Sequence, residues 1–104
     1  MAHGADRRTA NTLAHCVEET AVNIICSGFT DGKPHRIDLR VVAKNGSFII
    51  RVRDDCPELD PEKQLRQHDP SQLADDLSVR MLYAMAKDVQ YTYALNFNNT
   101  LIKV

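Results

Sequence analysis

Apolar residues follow a helical spacing in the first quarter of the chain. From about residue 6 to residue 26, apolar side chains recur every three or four positions, at Leu13, Val17, Ala21 and Ile24. This spacing places them on one face of an α-helix. Gly28 follows as a residue that can end a helix in the left-handed conformation. The pattern predicts a helix near 7–27.

Alternation of apolar and polar residues predicts two hairpins. Residues 36–43 place Ile37 and Leu39 on one side of a strand, with polar residues between them. Asn45-Gly46 is typical of a tight hairpin turn, so residues 48–54 should return antiparallel. A second pair of strands is predicted at 89–95 and 100–104. The asparagines between those strands tolerate left-handed turn conformations.

The segment between the hairpins changes character twice. Residues 54–75 hold three of the four prolines and predict a long irregular connection with one short helical turn. Helical spacing returns in residues 76–87, where Leu77, Met81, Leu82 and Met85 are apolar. Met81 and Met85 are expected in the core of this helix. The order helix, hairpin, loop, helix, hairpin predicts an α+β fold with helices on one face of a mostly antiparallel sheet.

Composition narrows the classes of function. A chain of 104 residues makes one domain, 1–104. Its net charge of -1 gives no broad reason to bind nucleic acid or an anionic membrane surface. No apolar run approaches the roughly 18 residues of a membrane span. The odd number of cysteines, Cys16, Cys26 and Cys56, favours a reducing, cytoplasmic compartment, and no export leader follows Met1.

The cysteines and histidines show no zinc-binding spacing. No C-x-x-C or H-x-x-x-H pattern occurs in the chain. Cys16 and Cys26 are expected to be small packing residues of the first helix. A structural zinc site is therefore not predicted.

Two short motifs carry candidate chemistry. Glu19 and Asn23 lie one helical turn apart, with His15 one turn earlier. A carboxylate can polarise a hydroxyl, and an amide oxygen can ligate Mg²⁺, although such a set is also typical of a solvated helix face. Asp54, at the end of a strand, can accept a hydrogen bond from an exocyclic amine such as that of adenine. It can equally belong to an ordinary acidic turn.

Taken together, four segments resemble the histidine-kinase-like ATPase domains of the GHKL superfamily, in particular its anti-sigma-factor serine kinase branch. In chain order they are VEETAVNIICSGF, RDDCPELDP, DLSVRMLYAMAKDVQY and NNTLIKV. The resemblance runs from about residue 7 to the end. It implies a two-layer α/β sandwich with a mixed, mostly antiparallel sheet. It also implies binding of ATP with Mg²⁺.

The resemblance implies a role for several residues. Glu19 corresponds to the general base and Asn23 to the Mg²⁺ ligand. Asp54 corresponds to the carboxylate that reads adenine, and Cys56 takes the place of a glycine in the same motif. Thr100, expected to open the last strand, corresponds to the polar position beside that carboxylate.

The region before the second helix departs from the family pattern. Residues 62–79 correspond to the lid over the nucleotide phosphates, and Leu77 and Ser78 stand where a glycine box opens the helix. No glycine occurs after Gly46, so a side chain stands wherever backbone would approach a phosphate. Asp75 and Asp76 also add two carboxylates that would repel phosphate at this helix end, although acids at this position are equally typical of a helix cap.

Two functions follow as hypotheses. The first is an ATP- and Mg²⁺-binding regulatory domain resembling anti-sigma-factor serine/threonine kinases, with protein kinase or ATPase activity left open. The second is a non-catalytic module that has kept the fold, has lost tight nucleotide binding and docks on a regulatory protein. In both, the partner resembles an anti-sigma-factor antagonist, and neither nucleic acid nor membrane contact is expected. Because related kinases carry additional N-terminal structure, we expect the domain to be one module of a larger signalling protein.

Overall fold

The computed structural model describes residues 7–66 and 77–104. Within these ranges the chain forms an α+β fold, and a π-helical turn, Ile24–Gly28, continues the first helix. The elements are α1 (Arg7–Asn23), β1 (Ile37–Lys44), β2 (Ser47–Asp54), α2 (Pro61–Arg66), α3 (Leu77–Met85), β3 (Asp88–Ala94) and β4 (Phe97–Lys103). The middle of the predicted lid, including Asp75 and Asp76, lies outside the described residues.

The four strands form one sheet in the order β1-β2-β4-β3. All three neighbouring pairs among these strands are antiparallel. The two hairpins meet where β2 pairs with β4, and this pairing sets Asp54 opposite Asn98. The antiparallel sheet predicted from alternation is confirmed.

Helices α1 and α3 pack on one face of the sheet. The buried core joins Cys16 of α1 and Leu82 of α3 to Ile50 and Ile102 of the two central strands. Burying a branched aliphatic side chain of this kind contributes about 1.5–3 kcal/mol. The opposite face of the sheet is left without a helical layer among the described elements.

The buried side of α3 differs from the predicted one. Val79 and Leu82 are buried, whereas Leu77 and Met81 are 53% and 41% exposed. Met85 is half-buried against the core, but the placement of Met81 in the core was wrong. Two apolar rows at helical spacing run along this helix, and spacing alone does not say which row faces the sheet. No helix in the described ranges has both the length and the apolar character to cross a membrane.

Cys26 also differs from its prediction. Its side chain is exposed, while Cys16 is buried as expected. The π-helical turn begins at Ile24 and adds a residue to each turn, which rotates the positions after it relative to the stripe of α1.

The two hairpins use the same kind of turn, the first at its predicted position and the second at a different one. Asn45-Gly46 joins β1 to β2 with φ values of 51° and 75°, as expected. In the second hairpin the turn is Leu95-Asn96, with φ values of 53° and 64°, so the predicted turn at 96–99 was wrong. Two central residues with positive φ form a turn whose twist matches that of the paired strands. As a result, β4 begins at Phe97 and Thr100 lies inside the strand instead of opening it.

Gly28 ends the π-helical turn for a reason other than the predicted one. The glycines with positive φ among the described residues are Gly32 and Gly46, so Gly28 is not a left-handed cap. It is buried, and a Cβ at this position would lie 3.4 Å from both Cβ and Sγ of Cys56. Gly28 therefore allows the end of the first helix to approach the loop that follows β2.

Candidate functional site

Asp54 is a buried carboxylate at the end of β2. It is 4% exposed, and the pairing of the central strands brings it next to β4. Its Oδ1 accepts hydrogen bonds from the backbone N–H of Cys56 (3.1 Å) and from Nδ2 of Asn98 (2.9 Å). No N–H donor of the described residues bonds Oδ2. The Cys56 thiol also hydrogen-bonds this carboxylate, so its orientation is set by two N–H donors at Oδ1 together with the thiol.

Asn98 organises the loop after β2. The side chain is 2% exposed. Besides Asp54, its Nδ2 donates to the carbonyls of Cys56 and Pro57, each at 3.1 Å. Its Oδ1 accepts from the backbone N–H of Leu59 at 2.9 Å and from the Tyr91 hydroxyl. One amide side chain therefore fixes the strand end, the loop and β3 relative to one another.

Sequence reasoning missed Asn98 because it placed this residue in a turn. The signal in the chain was weak: Ile102 and Val104 share a strand face with Asn98, but Phe97 and Leu101 on the other face are apolar as well. Asn98, opposite Asp54, is the polar neighbour that had been assigned to Thr100. Thr100 is half-buried, pairs with Val52 and lies one step further along the same face. Its contact with a nucleotide stays a prediction.

Cys56 fills the space between the loop and the first helix. The residue is 1% exposed and touches the position where Gly28 lacks a side chain. Burial, and next the negative charge of Asp54, raise the pKa of the Cys56 thiol to about 12. The thiol is therefore neutral at physiological pH and is not a nucleophile, since the thiolate is the reactive form.

Asn23 is engaged by α2. Its Nδ2 donates to Oε1 of Gln64 and its Oδ1 accepts from Nε2 of Gln64, both at 3.0 Å. Asn23 is 8% exposed, so this amide pair is largely shielded from water. The oxygen that a metal ion would need is already an acceptor for Gln64.

The other predicted site residues lie around this arrangement. Glu19 is half-buried on α1, one turn before Asn23. At the start of α3, Leu77 is exposed and Ser78 is half-buried. Asp54 and Cys56 are brought together, and the contact between Cys56 and Gly28 connects them to the chain just after Asn23. The predicted roles of Glu19, Leu77 and Ser78 toward a ligand stay predictions.

His35 lies between two carboxylates beside this loop. Its Nε2 is 2.7 Å from Oδ1 of Asp31, and its Nδ1 is 3.1 Å from Oδ1 of Asp55. Hydrogen bonding to Asp31 above all raises the pKa of His35 above 6.5. The bond to His35 lowers the pKa of Asp31, and the backbone N–H of Arg36 is the main cause lowering that of Asp55. A protonated ring donating from both nitrogens ties the two acidic segments together.

The same histidine takes part in a group of metal-ligand types that sequence spacing did not indicate. One ligand atom each from His35, Asp55 and Cys56 lies within 4.8 Å of the others. Hydrogen bonds already engage the ring nitrogen and the Asp55 oxygen. The third atom belongs to a thiol whose pKa is raised to about 12. The cluster is satisfied by its own hydrogen bonds, and we assign it a structural role.

Comparison of the chain with protein-family models, with curated proteins and with solved structures gives no match. The class defined by the fold is a small α+β domain with a four-stranded antiparallel sheet. The site consists of a buried, oriented carboxylate at a strand end, supported by an asparagine from the neighbouring strand.

Proposed function

We propose that this chain is an adenine-nucleotide-binding regulatory domain of the GHKL type, similar to the anti-sigma-factor serine/threonine kinases. The orientation of Asp54 is the observation that carries the proposal. Two N–H donors fix Oδ1, and the Cys56 thiol also hydrogen-bonds the carboxylate. We assign Oδ2, which receives no N–H donor from the described residues, as the acceptor for a ligand donor. Buried polar atoms generally have a hydrogen-bond partner, and the exocyclic amine of adenine is a donor of the required kind.

The metal part of this function has weaker support. Asn23 is the residue that would ligate Mg²⁺, but its oxygen accepts a hydrogen bond from Gln64 and its side chain is buried. As arranged, the residues present do not fit a metal ion at this position. The proposed function is therefore nucleotide binding rather than phosphoryl transfer, and it gives Glu19 no catalytic step.

The pairing of Asn23 with Gln64 favours a second candidate. A domain that has kept the fold but holds its former metal ligand in an amide pair would act as a non-catalytic interaction module. Its partner would be a regulatory protein of the anti-sigma-factor antagonist kind. The free state of Cys16, Cys26 and Cys56 agrees with a cytoplasmic location for either candidate.

Calorimetric titration with a non-hydrolysable ATP analogue tests the proposal. Saturable one-to-one binding is expected, and the absence of binding at millimolar analogue would overturn nucleotide binding in favour of the interaction module. The titration is repeated with and without Mg²⁺ on wild type and on Gln64→Ala, which removes the partner of the Asn23 amide.

Gln90→Ala is the matched control, because Gln90 is exposed and its side chain bonds only Asp88 among the described residues. If Asn23 serves as a metal ligand, Gln64→Ala should increase the effect of Mg²⁺ on affinity, while Gln90→Ala should not. If the affinity for the ATP analogue is the same with and without Mg²⁺ in all three proteins, Asn23 is not a metal ligand and nucleotide binding is independent of metal.

A further inference from the structure

The open face of the sheet carries the basic charge of the molecule. Strand positions that alternate with the buried ones point away from the helices. This face carries five basic and two acidic side chains, although the whole chain has a net charge of -1. The basic residues are Arg40, Lys44, Arg51, Arg53 and Lys103, and the acidic ones are Asp38 and Asp88. Positive potential is thus concentrated opposite the nucleotide site proposed above.

Two of these arginines form a pair that opposes folding. Arg40 of β1 lies directly opposite Arg51 of β2, and like charges in this position destabilise a sheet. No carboxylate of the described residues lies within ion-pair distance of either guanidinium. Asp38, the nearest acid on the face, is bonded by Arg36 at 3.2 Å. A conflict between local charge and fold of this kind is typical of a functional position.

The arginines line a depression large enough for a small molecule. Its volume is about 440 Å³, and its charged lining residues are Arg36, Arg40, Arg51 and Arg53 with one acid, Asp38, which Arg36 already bonds. The guanidinium of Arg53 stacks over the ring of Phe97, 3.9 Å from its centroid. This stacking holds one cationic wall in place and covers one face of the aromatic ring.

We propose that this depression binds a small anion with two or more phosphate groups, of which inorganic pyrophosphate is the simplest. Guanidinium groups match phosphate oxygens with paired hydrogen bonds. Even with the carboxylate of Asp38 among them, four arginines around one depression leave more positive charge than a single phosphate neutralises. The concave shape favours a small molecule over a polymer. The site lies on the opposite face from Asp54 and does not depend on the function proposed for that residue.

Titration calorimetry with inorganic pyrophosphate tests this site. Saturable binding is expected in wild type, and Arg40→Gln and Arg51→Gln should each weaken it about tenfold or more, by loss of charge-assisted hydrogen bonds. Lys103→Gln is the matched control, since it removes the same charge from the same face outside the lining, and its effect should stay below about threefold. Asp54→Asn should leave pyrophosphate binding unchanged.

Unfolding measurements on the same variants separate binding from folding. Because Arg51→Gln relieves a like-charge pair, it should raise the midpoint of urea unfolding while it weakens pyrophosphate. Equal weakening by Arg51→Gln and Lys103→Gln would show diffuse attraction only and overturn the site. Absence of pyrophosphate binding to wild type would overturn the site as well. So would self-association in sedimentation that Arg40→Gln or Arg51→Gln abolishes.

Discussion

At the scale of single residues, Asn98 holds the candidate site together. Asn98→Ala would leave the Asp54 oxygen with one donor and the Leu59 N–H without its acceptor. Each buried polar group that loses its partner reduces stability by about 1–3 kcal/mol. We expect urea unfolding to show a loss of about 3 kcal/mol or more for this variant.

Asn99→Ala provides the neighbouring control. Asn99 is half-buried, and its side chain bonds the carbonyl of Phe97 two residues away. Its replacement should lower the free energy of unfolding by about 1 kcal/mol or less. Similar losses for the two variants would show that the hydrogen bonds around Asn98 do not organise the site.

His35 makes stability depend on pH. Because its pKa in the folded protein is raised above 6.5, its contribution is fully present below pH 6.5 and is lost as the pH rises through the raised value. Asp31 and Asp55 have lowered pKa values. Their contribution is present above 3.8, the ordinary value, and is lost as the pH falls through the lowered values.

A comparison with His35→Gln isolates this effect. The free energy of unfolding of wild type relative to the variant should be larger at about pH 5 than at about pH 9. Urea unfolding at both pH values measures the difference. A difference that is the same at both would mean that the protonated ring is not what binds Asp31 and Asp55.

At the scale of elements, the two hairpin turns allow a direct exchange. Leu95 and Asn45 occupy the same turn position with φ values of 53° and 51°. A leucine in the left-handed region is disfavoured by about 1 kcal/mol, and asparagine less so. Since Leu95 is 89% exposed, Leu95→Asn loses little packing. It should raise the free energy of unfolding by about 0.5–1 kcal/mol.

Asn45→Leu is the reciprocal variant. It introduces the same unfavourable conformation into the first hairpin and should lower the free energy of unfolding by about 1 kcal/mol. Thermal and urea unfolding of both variants measure the pair. If Leu95→Asn is the less stable of the two, the second turn is not governed by backbone conformation.

At the scale of the whole molecule, periodicity predicted the elements but not their phase or contacts. Alternation and Asn45-Gly46 were enough to predict the first hairpin and the antiparallel sheet. The position of the second turn could not be predicted, because several asparagines can adopt a left-handed conformation and only the strand register selects Leu95-Asn96. The same register decides that Asn98 faces Asp54.

The sequence likewise predicts one part of the candidate site, whereas the other parts depend on contacts between distant residues. The place of Asp54 at a strand end could be predicted from the alternation of residues, and its adenine-reading role stays a prediction. The engagement of Asn23 by Gln64 could not, because it joins residues 41 positions apart through the packing of a six-residue helix. The arginine-lined depression also required the pairing of β1 with β2, since the sequence has no net positive charge.

The base preference of wild type and of Asp54→Asn tests most directly the central claim that Asp54 reads adenine. Cys56 and Asn98 both donate to Oδ1, so in Asp54→Asn the amide oxygen should keep that position and the NH₂ group should take the place of Oδ2. Wild type should then bind ATP about ten- to a hundredfold more tightly than inosine triphosphate, whose 6-keto group is an acceptor. Asp54→Asn should weaken ATP and strengthen inosine triphosphate in calorimetric titration. The same base preference in both proteins would contradict an adenine-reading role for Asp54.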